Sequence, residues 1–123
     1  MLHLSLFCKY YLYSGHTDMR KGFDSLSGIV TAQMHGDILS GAVFIFINKK
    51  RNQVKLLLWE GDGLALYHKR LEKGTYELPL LKAETTTLSV SSEQLLWILQ
   101  GVSLKSIHKR KRYQHLAESC EYL

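Results

Sequence analysis

The first change of structure along this chain falls at Thr17-Asp18-Met19-Arg20-Lys21-Gly22-Phe23-Asp24. This octet combines two acids, two bases, a glycine and two large apolar residues in eight positions. The run before it, residues 10–13, is rich in tyrosine, and aromatic side chains favour a pleated, half-buried strand. The octet therefore predicts the corner at which a first strand ends and a first helix begins.

The helix is predicted to begin at Thr17, because a threonine hydroxyl is well suited to cap a helix N-terminus. Asp18 then meets the positive end of the helix dipole, and Arg20 and Asp24 have the i, i+4 spacing of a helix-surface ion pair. Gly36 is expected to end the helix. The apolar face of this helix is predicted to carry Met19, Phe23, Leu26, Val30 and Met34.

Outward from this corner, the sequence predicts a series of strands. Residues 42–47 are apolar on both faces, as expected of a central, covered strand. The turn Asn48-Lys49-Lys50-Arg51-Asn52 leads into an alternating strand over residues 53–59, and Glu60-Gly61-Asp62-Gly63 marks a second hairpin. Further strands are predicted over residues 64–71, 75–78 and 87–90.

A second helix is indicated by Ser91 and Gln94, which match a capping box, and by the apolar stripe that follows. Together these elements predict an α+β domain: a mainly antiparallel sheet of about five strands with two helices, which we expect on one face of the sheet. The single domain is expected to span residues 1–104, and a basic C-terminal tail to occupy residues 105–123.

Composition narrows the class of protein. The chain has 123 residues and a formal net charge of +5, which is compatible with one domain and a polyanionic partner. Its longest apolar run is far shorter than the roughly 20 residues that cross a bilayer, and its start does not resemble a signal peptide. Cys8 and Cys120 lie near opposite ends, as in a reduced protein. We expect a cytoplasmic protein with no membrane partner.

The sequence offers little support for catalysis. The histidines and cysteines lack the spacing of a zinc site, and no nucleophile elbow or phosphate-binding glycine loop is present, so no metal, cofactor or catalytic residue is expected. The acids Asp18, Asp24, Glu60 and Asp62 merit consideration because nucleases hold metal ions with clustered carboxylates. The spacing of Arg20 and Asp24 favours an ion pair instead.

Basic residues are the stronger functional signal. The expected nucleic-acid-binding surface combines a turn with the two strands that follow it, through Lys49, Lys50, Arg51, Lys55, Lys69 and Arg70. Aromatic residues interleaved among these bases are candidates to stack on nucleobases: Trp59, Tyr67 and Tyr76. The alternative for the same residues is a solvated turn, with Trp59 packed in the core.

The tail carries a second basic cluster that is expected to bind phosphates by charge alone, formed by Lys109, Arg110, Lys111 and Arg112. Its alternative is a solubilising tail. Arg20 and Lys21 of the octet are further candidate contacts to DNA.

Several blocks of the sequence resemble one known family. The octet is followed by Gly41-Ala42-Val43-Phe44-Ile45-Phe46 and Val54-Lys55-Leu56-Leu57-Leu58-Trp59-Glu60, then by Gly63 with residues 66–74, and finally by residues 94–101. In this order, over about residues 9–104, they resemble the accessory proteins of insertion-sequence-66-type transposons, called TnpB or Orf2-like.

The resemblance implies a bacterial, cytoplasmic protein that is encoded beside a separate transposase and assists transposition. We therefore expect a non-catalytic accessory protein that binds DNA, or a DNA–transposase complex, through the basic residues above. The alternative is a protein-only adaptor for the transposase, with an exposed apolar patch near Trp59 or the second helix. A metal-dependent nuclease is the third hypothesis. The oligomeric state is left open.

Overall fold

The computed structural model describes residues 8–78 and 86–100. Its elements follow in the order β1 (Tyr10–His16), α1 (Phe23–Ala32), a short 3₁₀ helix (Ile38–Ser40), β2 (Val43–Ile47), β3 (Gln53–Trp59), β4 (Leu64–Arg70), β5 (Thr87–Val90) and α2 (Ser92–Gln100). The strand predicted over residues 75–78 is wrong: this segment is irregular, and the amide of Tyr76 donates to the carbonyl oxygen of Arg51 at 2.7 Å. No helix within the described ranges is long and apolar enough to span a membrane.

The five strands form one sheet in the order β4-β3-β2-β1-β5. β1 and β2 are parallel, and every other neighbouring pair is antiparallel. Two parallel neighbours require a crossover connection, and α1 lies in the connection from β1 to β2. The predicted α+β class, with a mainly antiparallel sheet of about five strands and two helices, is confirmed.

The two helices cover opposite faces of the sheet, whereas we expected both on one face. Leu26 and Val30 of α1 pack in a cluster with Phe44 and Phe46 of β2. The intervening β2 residues, such as Ile45, belong to a second cluster with Leu95, Ile98 and Leu99 of α2. Because side chains alternate along a strand, the apolar run of β2 requires a cover on both faces.

The octet forms a loop before α1, and the predicted start of the helix at Thr17 is wrong. α1 begins at Phe23 with Gly22 as its N-cap, and Gly22 provides no side-chain bond. Thr17 is buried, its amide donates to Ile47 at 3.0 Å, and its hydroxyl has no partner among the described residues. The predicted pair between Arg20 and Asp24 is also wrong, because Arg20 precedes the helix and binds Asp18.

The capping box at the start of α2 is confirmed. The amide of Gln94 donates to the Ser91 hydroxyl at 3.0 Å, and the amide of Ser91 donates to the Gln94 side-chain oxygen at 2.9 Å. This reciprocal arrangement satisfies two donors that the helix would otherwise leave open. The capping box therefore fixes where α2 begins, next to the end of β5.

Candidate nucleic-acid interface

One edge of the sheet gathers three separate segments of the chain. β1 and β2 run in the same direction, so the loop at residues 17–22 and the turn at residues 48–52 both lie at the edge where these strands end. The pairing of Gln53 with Arg70 brings the end of β4 to the same place. The amide of Leu71 confirms this proximity by donating to Asn52 at 2.7 Å. We call residues 17–22, 48–53 and 68–73 the basic edge.

Positive charge is concentrated at this edge, although the edge also contains the acids Asp18 and Glu72. Within the described ranges, every lysine and arginine except Lys9 lies at the basic edge or points toward it: Arg20, Lys21, Lys49, Lys50, Arg51, Lys55, Lys69, Arg70 and Lys73. The opposite edge, which we call the acidic edge, carries Lys9 with Asp37, Glu60, Asp62 and Glu93. The sequence order hides this separation, because hairpins alternate between the two edges.

The turn at residues 48–52 presents its bases outward. The side-chain oxygen of Asn48 accepts from the amides of Asn52 at 3.0 Å and Gln53 at 2.9 Å. Arg51 has a φ of 59°, in the left-handed region that few non-glycine residues adopt. The Asn48 side chain thus binds backbone amides within the turn. The three charged side chains of the turn are exposed: Lys49, Lys50 and Arg51.

The end of β4 divides its bases between the two faces of the sheet. Pairing with β3 puts His68 and Arg70 on the face that α1 covers, and Lys69 on the face that α2 covers. Arg70 also contacts Glu72 through an exposed ion pair of 3.1 Å. The structure therefore brings Arg70 beside the turn, whereas Lys69 points to the other side of the sheet.

His68 is held within the basic edge by a hydrogen bond of 2.8 Å between its Nε2 and the side-chain oxygen of Gln53. Partial burial lowers the pKa of His68, and the positive charges of Lys55 and Arg70 lower it further. A histidine with a lowered pKa is mostly neutral near pH 7, and an anion that approached it would raise its pKa again.

Lys55 is a buried residue of this edge and is unavailable as an open surface contact. It is 7% exposed, and its ammonium donates to the carbonyl oxygens of Met19 at 2.8 Å and Lys21 at 2.7 Å. A buried ammonium requires such acceptors to offset its desolvation. Lys55 therefore ties the loop at residues 17–22 to the sheet, a role that differs from the phosphate contact we expected of it.

The loop at residues 17–22 offers one exposed base without an acidic partner. The guanidinium of Arg20 binds Asp18 through Nη2 at 2.6 Å, and the Arg20 amide also donates to Asp18 at 2.9 Å. These hydrogen bonds to Arg20 hold the pKa of Asp18 well below its usual range. Arg20 is therefore largely neutralised, while the exposed Lys21 side chain has no ion-pair partner in the described part of the chain.

The aromatic residues proposed to stack on nucleobases do not converge on the basic edge. Trp59 lies at the end of β3 near the acidic edge, and Tyr67 packs partly against the core on the α2 side. Tyr76 is fully buried. The large aromatic side chain that stands exposed next to the basic edge is Phe23, which is 46% exposed. Sequence reasoning assigned Phe23 to the core, because its spacing to Leu26 fits the buried helix face.

The clustered carboxylates of the nuclease hypothesis are divided between the two edges. Asp18 and Asp24 lie at or next to the basic edge, whereas Glu60 and Asp62 occupy the turn between β3 and β4 at the acidic edge. No group of three potential metal ligands occurs in residues 8–78 and 86–100. The four basic tail residues, Lys109 to Arg112, lie outside the described residues.

Known proteins connect this domain to a mobile element. The family model described as IS66 Orf2 like protein, TnpB_IS66, matches residues 8–109. The chain belongs to the IS66 Orf2-like family. As a family member, it has an accessory role in transposition by an insertion sequence.

Two similar proteins come from Sinorhizobium fredii (strain NBRC 101917 / NGR234). This IS66 Orf2-like chain is 34% identical to "Uncharacterized protein y4hO" over 92 residues. The aligned residues cover 75% of this chain and 78% of that protein. The chain is 29% identical over 94 residues to "Uncharacterized protein y4jC", with 76% and 78% covered. No solved structure matches the chain.

Proposed function

We propose that this IS66 Orf2-like protein is a non-catalytic accessory protein that binds DNA through its basic edge during transposition in the bacterial cytoplasm. The observation that carries the proposal is the concentration of lysines and arginines from three segments at one edge, whereas Asp37, Glu60, Asp62 and Glu93 lie at the opposite edge. A charge distribution of this kind attracts a polyanion and orients it as it approaches.

The main contacts are expected to be to phosphates. Lys49, Lys50 and Arg51 are exposed at the tip of a turn whose backbone is held by Asn48. Lys21 extends the same positive surface toward α1, and Arg70, which is paired with Glu72, extends it toward β4. Long basic side chains that reach outward from a fixed backbone bind phosphates without reading sequence. The tail bases Lys109, Arg110, Lys111 and Arg112 are proposed to add to this contact.

A salt series tests the proposal. Affinity for duplex DNA is expected to fall steeply with salt, because each neutralised phosphate contributes about 0.9 to the slope of log K against log salt. Replacing Lys49, Lys50 and Arg51 together by alanine should reduce that slope by roughly two to three. Binding that is absent, or that does not depend on salt, would refute the proposal.

A second candidate function is that of a protein adaptor for the transposase. Leu39 of the 3₁₀ helix is 60% exposed, and Trp59 is only partly buried near the same acidic edge. Exposed apolar side chains with a charged surround are typical of protein contacts. A transposase pull-down that survives nuclease treatment, resists the triple alanine substitution and is lost in Leu39→Ser would favour the adaptor.

A further inference from the structure

Phe23 is a large aromatic residue that the fold leaves partly exposed. It shares a helix face with Leu26 and Val30, which are both fully buried. Phe23 is the first residue of α1 and lies at the end of the helix next to the edge of the sheet. Its side chain remains 46% exposed, although large apolar side chains gain stability when they are buried.

Basic residues lie close to Phe23 in the chain. It follows Lys21, which has no ion-pair partner among the described residues, and Arg20, which binds Asp18. It also stands on the face of the sheet that carries His68 and Arg70. Asp24 is the nearest acid in sequence, but successive helical residues are rotated by about 100° around the axis. The ring and the Asp24 carboxylate therefore project from different sides of α1.

The backbone that leads into Phe23 is fixed before any ligand arrives. Lys55 binds the carbonyl oxygens of Met19 and Lys21 at 2.8 and 2.7 Å. The amide of Lys21 also donates to the carbonyl oxygen of Asp18 at 3.1 Å. A side chain presented on a fixed backbone loses less conformational entropy when it binds.

Leu39 provides the contrast. It is the other large apolar side chain that stands exposed in the described part of the chain, at 60%, and it lies at the acidic edge. Exposure alone therefore does not point to DNA. Phe23 differs because it is aromatic and directly follows the bases of the loop at residues 17–22. Proteins combine aromatic and basic side chains in this way to stack nucleobases.

We propose that Phe23 stacks on a nucleobase, so that the basic edge prefers DNA with unpaired or unstacked bases over continuous duplex. This substrate class rests on the proposed function: the bases of the turn hold the phosphates, and Phe23 holds an accessible base. A ring can stack on any base, so the preference is for DNA structure and not for sequence.

The test compares a continuous duplex with the same duplex interrupted by a short single-stranded gap that contains 2-aminopurine. The full-length protein is expected to bind the gapped DNA roughly tenfold more tightly and to quench the 2-aminopurine fluorescence. Phe23→Ala should remove the preference and the quenching, while affinity and salt slope on the continuous duplex stay unchanged.

Two further variants control for shape and folding. Phe23→Tyr keeps a stacking ring and should retain the preference, whereas Phe23→Leu keeps an apolar side chain and should lose it. Leu39→Ala removes the other exposed apolar side chain and should behave as the unaltered protein. Thermal unfolding of each variant checks that the domain remains folded.

Three results would overturn the stacking role: no preference for gapped DNA in the unaltered protein, a preference that persists in Phe23→Ala, or a Phe23→Ala defect confined to transposase capture. The first two, with steep salt-dependent duplex binding, leave the proposed function intact. A Phe23-dependent preference that is insensitive to the triple alanine substitution of the turn would instead support stacking and contradict the proposed role of the turn.

Discussion

Two neighbouring loops at the basic edge contain basic residues but differ in how the fold uses them. The turn at residues 48–52 is held internally by Asn48, and its three bases extend outward. The loop at residues 17–22 is held from beneath by Lys55, and one of its two bases is neutralised by Asp18. The number of bases in a loop therefore says little about its electrostatic role until the partner of each base is known.

The difference assigns separate tasks to the loops. Outward bases with no acidic partner add directly to the attraction of a polyanion. A buried ammonium bound to two carbonyl oxygens contributes to the stability of the domain and to the position of its neighbours. Substitution of the turn should therefore affect DNA binding, and substitution of Lys55 should affect folding first.

Lys55→Met is expected to have the largest effect. Methionine fills a similar volume but leaves the carbonyl oxygens of Met19 and Lys21 without their donor, which should lower the free energy of unfolding by about 2–4 kcal/mol. Urea denaturation measures this change. Lys50→Met is the matched control in the turn and should stay within about 0.5 kcal/mol of the unaltered protein. Equal effects for the two variants would erase the proposed difference between the loops.

Asn48→Ala is expected to weaken the turn itself. The Asn48 side chain accepts from two backbone amides and donates to Asn52 at 2.7 Å, so its loss should lower the free energy of unfolding by about 1–2 kcal/mol. DNA affinity should fall as well, because the bases lose their fixed spacing. Urea denaturation and a DNA titration at one salt concentration measure both. A turn that retains full stability without Asn48 would show that its geometry is set elsewhere.

His68 should make DNA binding depend on pH. Its pKa is lowered in the free protein by partial burial and by Lys55 and Arg70, and a nearby phosphate would raise it again. Binding then takes up a proton, so affinity should rise about two- to fivefold as the pH falls from about 8 to 6. The stability of the domain follows the opposite trend with pH. Because the pKa of His68 is lower in the folded than in the unfolded chain, its contribution to the free energy of unfolding is present above the unfolded pKa. This contribution is lost as the pH falls through the folded pKa.

Titration of DNA binding across this pH range measures the effect of His68. His68→Gln retains a hydrogen-bonding side chain opposite Gln53 and should flatten the profile. A profile that is flat in the unaltered protein, or unchanged in His68→Gln, would place the bound phosphates away from the end of β4.

Asp18→Asn is expected to have the smallest effect. Loss of the carboxylate frees the Arg20 guanidinium for phosphates, so affinity for duplex DNA should rise about two- to threefold. The lowered pKa of Asp18 means that its contribution to stability is present above its ordinary pKa and is lost as the pH falls through the folded value. Acid unfolding of the variant should therefore be less steep. An unchanged DNA affinity would show that Arg20 does not face the DNA.

Much of the fold could be predicted from local patterns in the sequence. The strands β2, β3 and β4 follow apolar runs and glycine-rich or polar turns, and the reciprocal pair Ser91 and Gln94 marks the start of α2. The start of α1 could not be predicted in this way. Thr17 is a suitable helix cap in isolation, but tertiary packing buries it and binds its amide to Ile47 of the neighbouring strand.

The candidate site could be predicted only in part from the sequence. The exposed turn bases follow directly from the sequence, because a polar turn between two apolar strands must lie at the surface. Lys55 differs because its strand face also carries the buried Leu57, and a lysine within that pattern was the available signal that its ammonium is enclosed. The exposure of Phe23 could not be predicted from the spacing of apolar residues. That spacing identifies which face of a helix is apolar, but it does not show where the sheet beneath the helix ends.

A pair of charge reversals tests the central claim most directly. Lys50→Glu and Lys9→Glu alter exposed lysines and change the net charge equally, but Lys50 lies at the basic edge and Lys9 at the acidic edge. Duplex affinity, measured in low salt, is predicted to fall at least about tenfold in Lys50→Glu and less than about twofold in Lys9→Glu. Equal losses in both variants, or none in either, would contradict DNA binding by the basic edge.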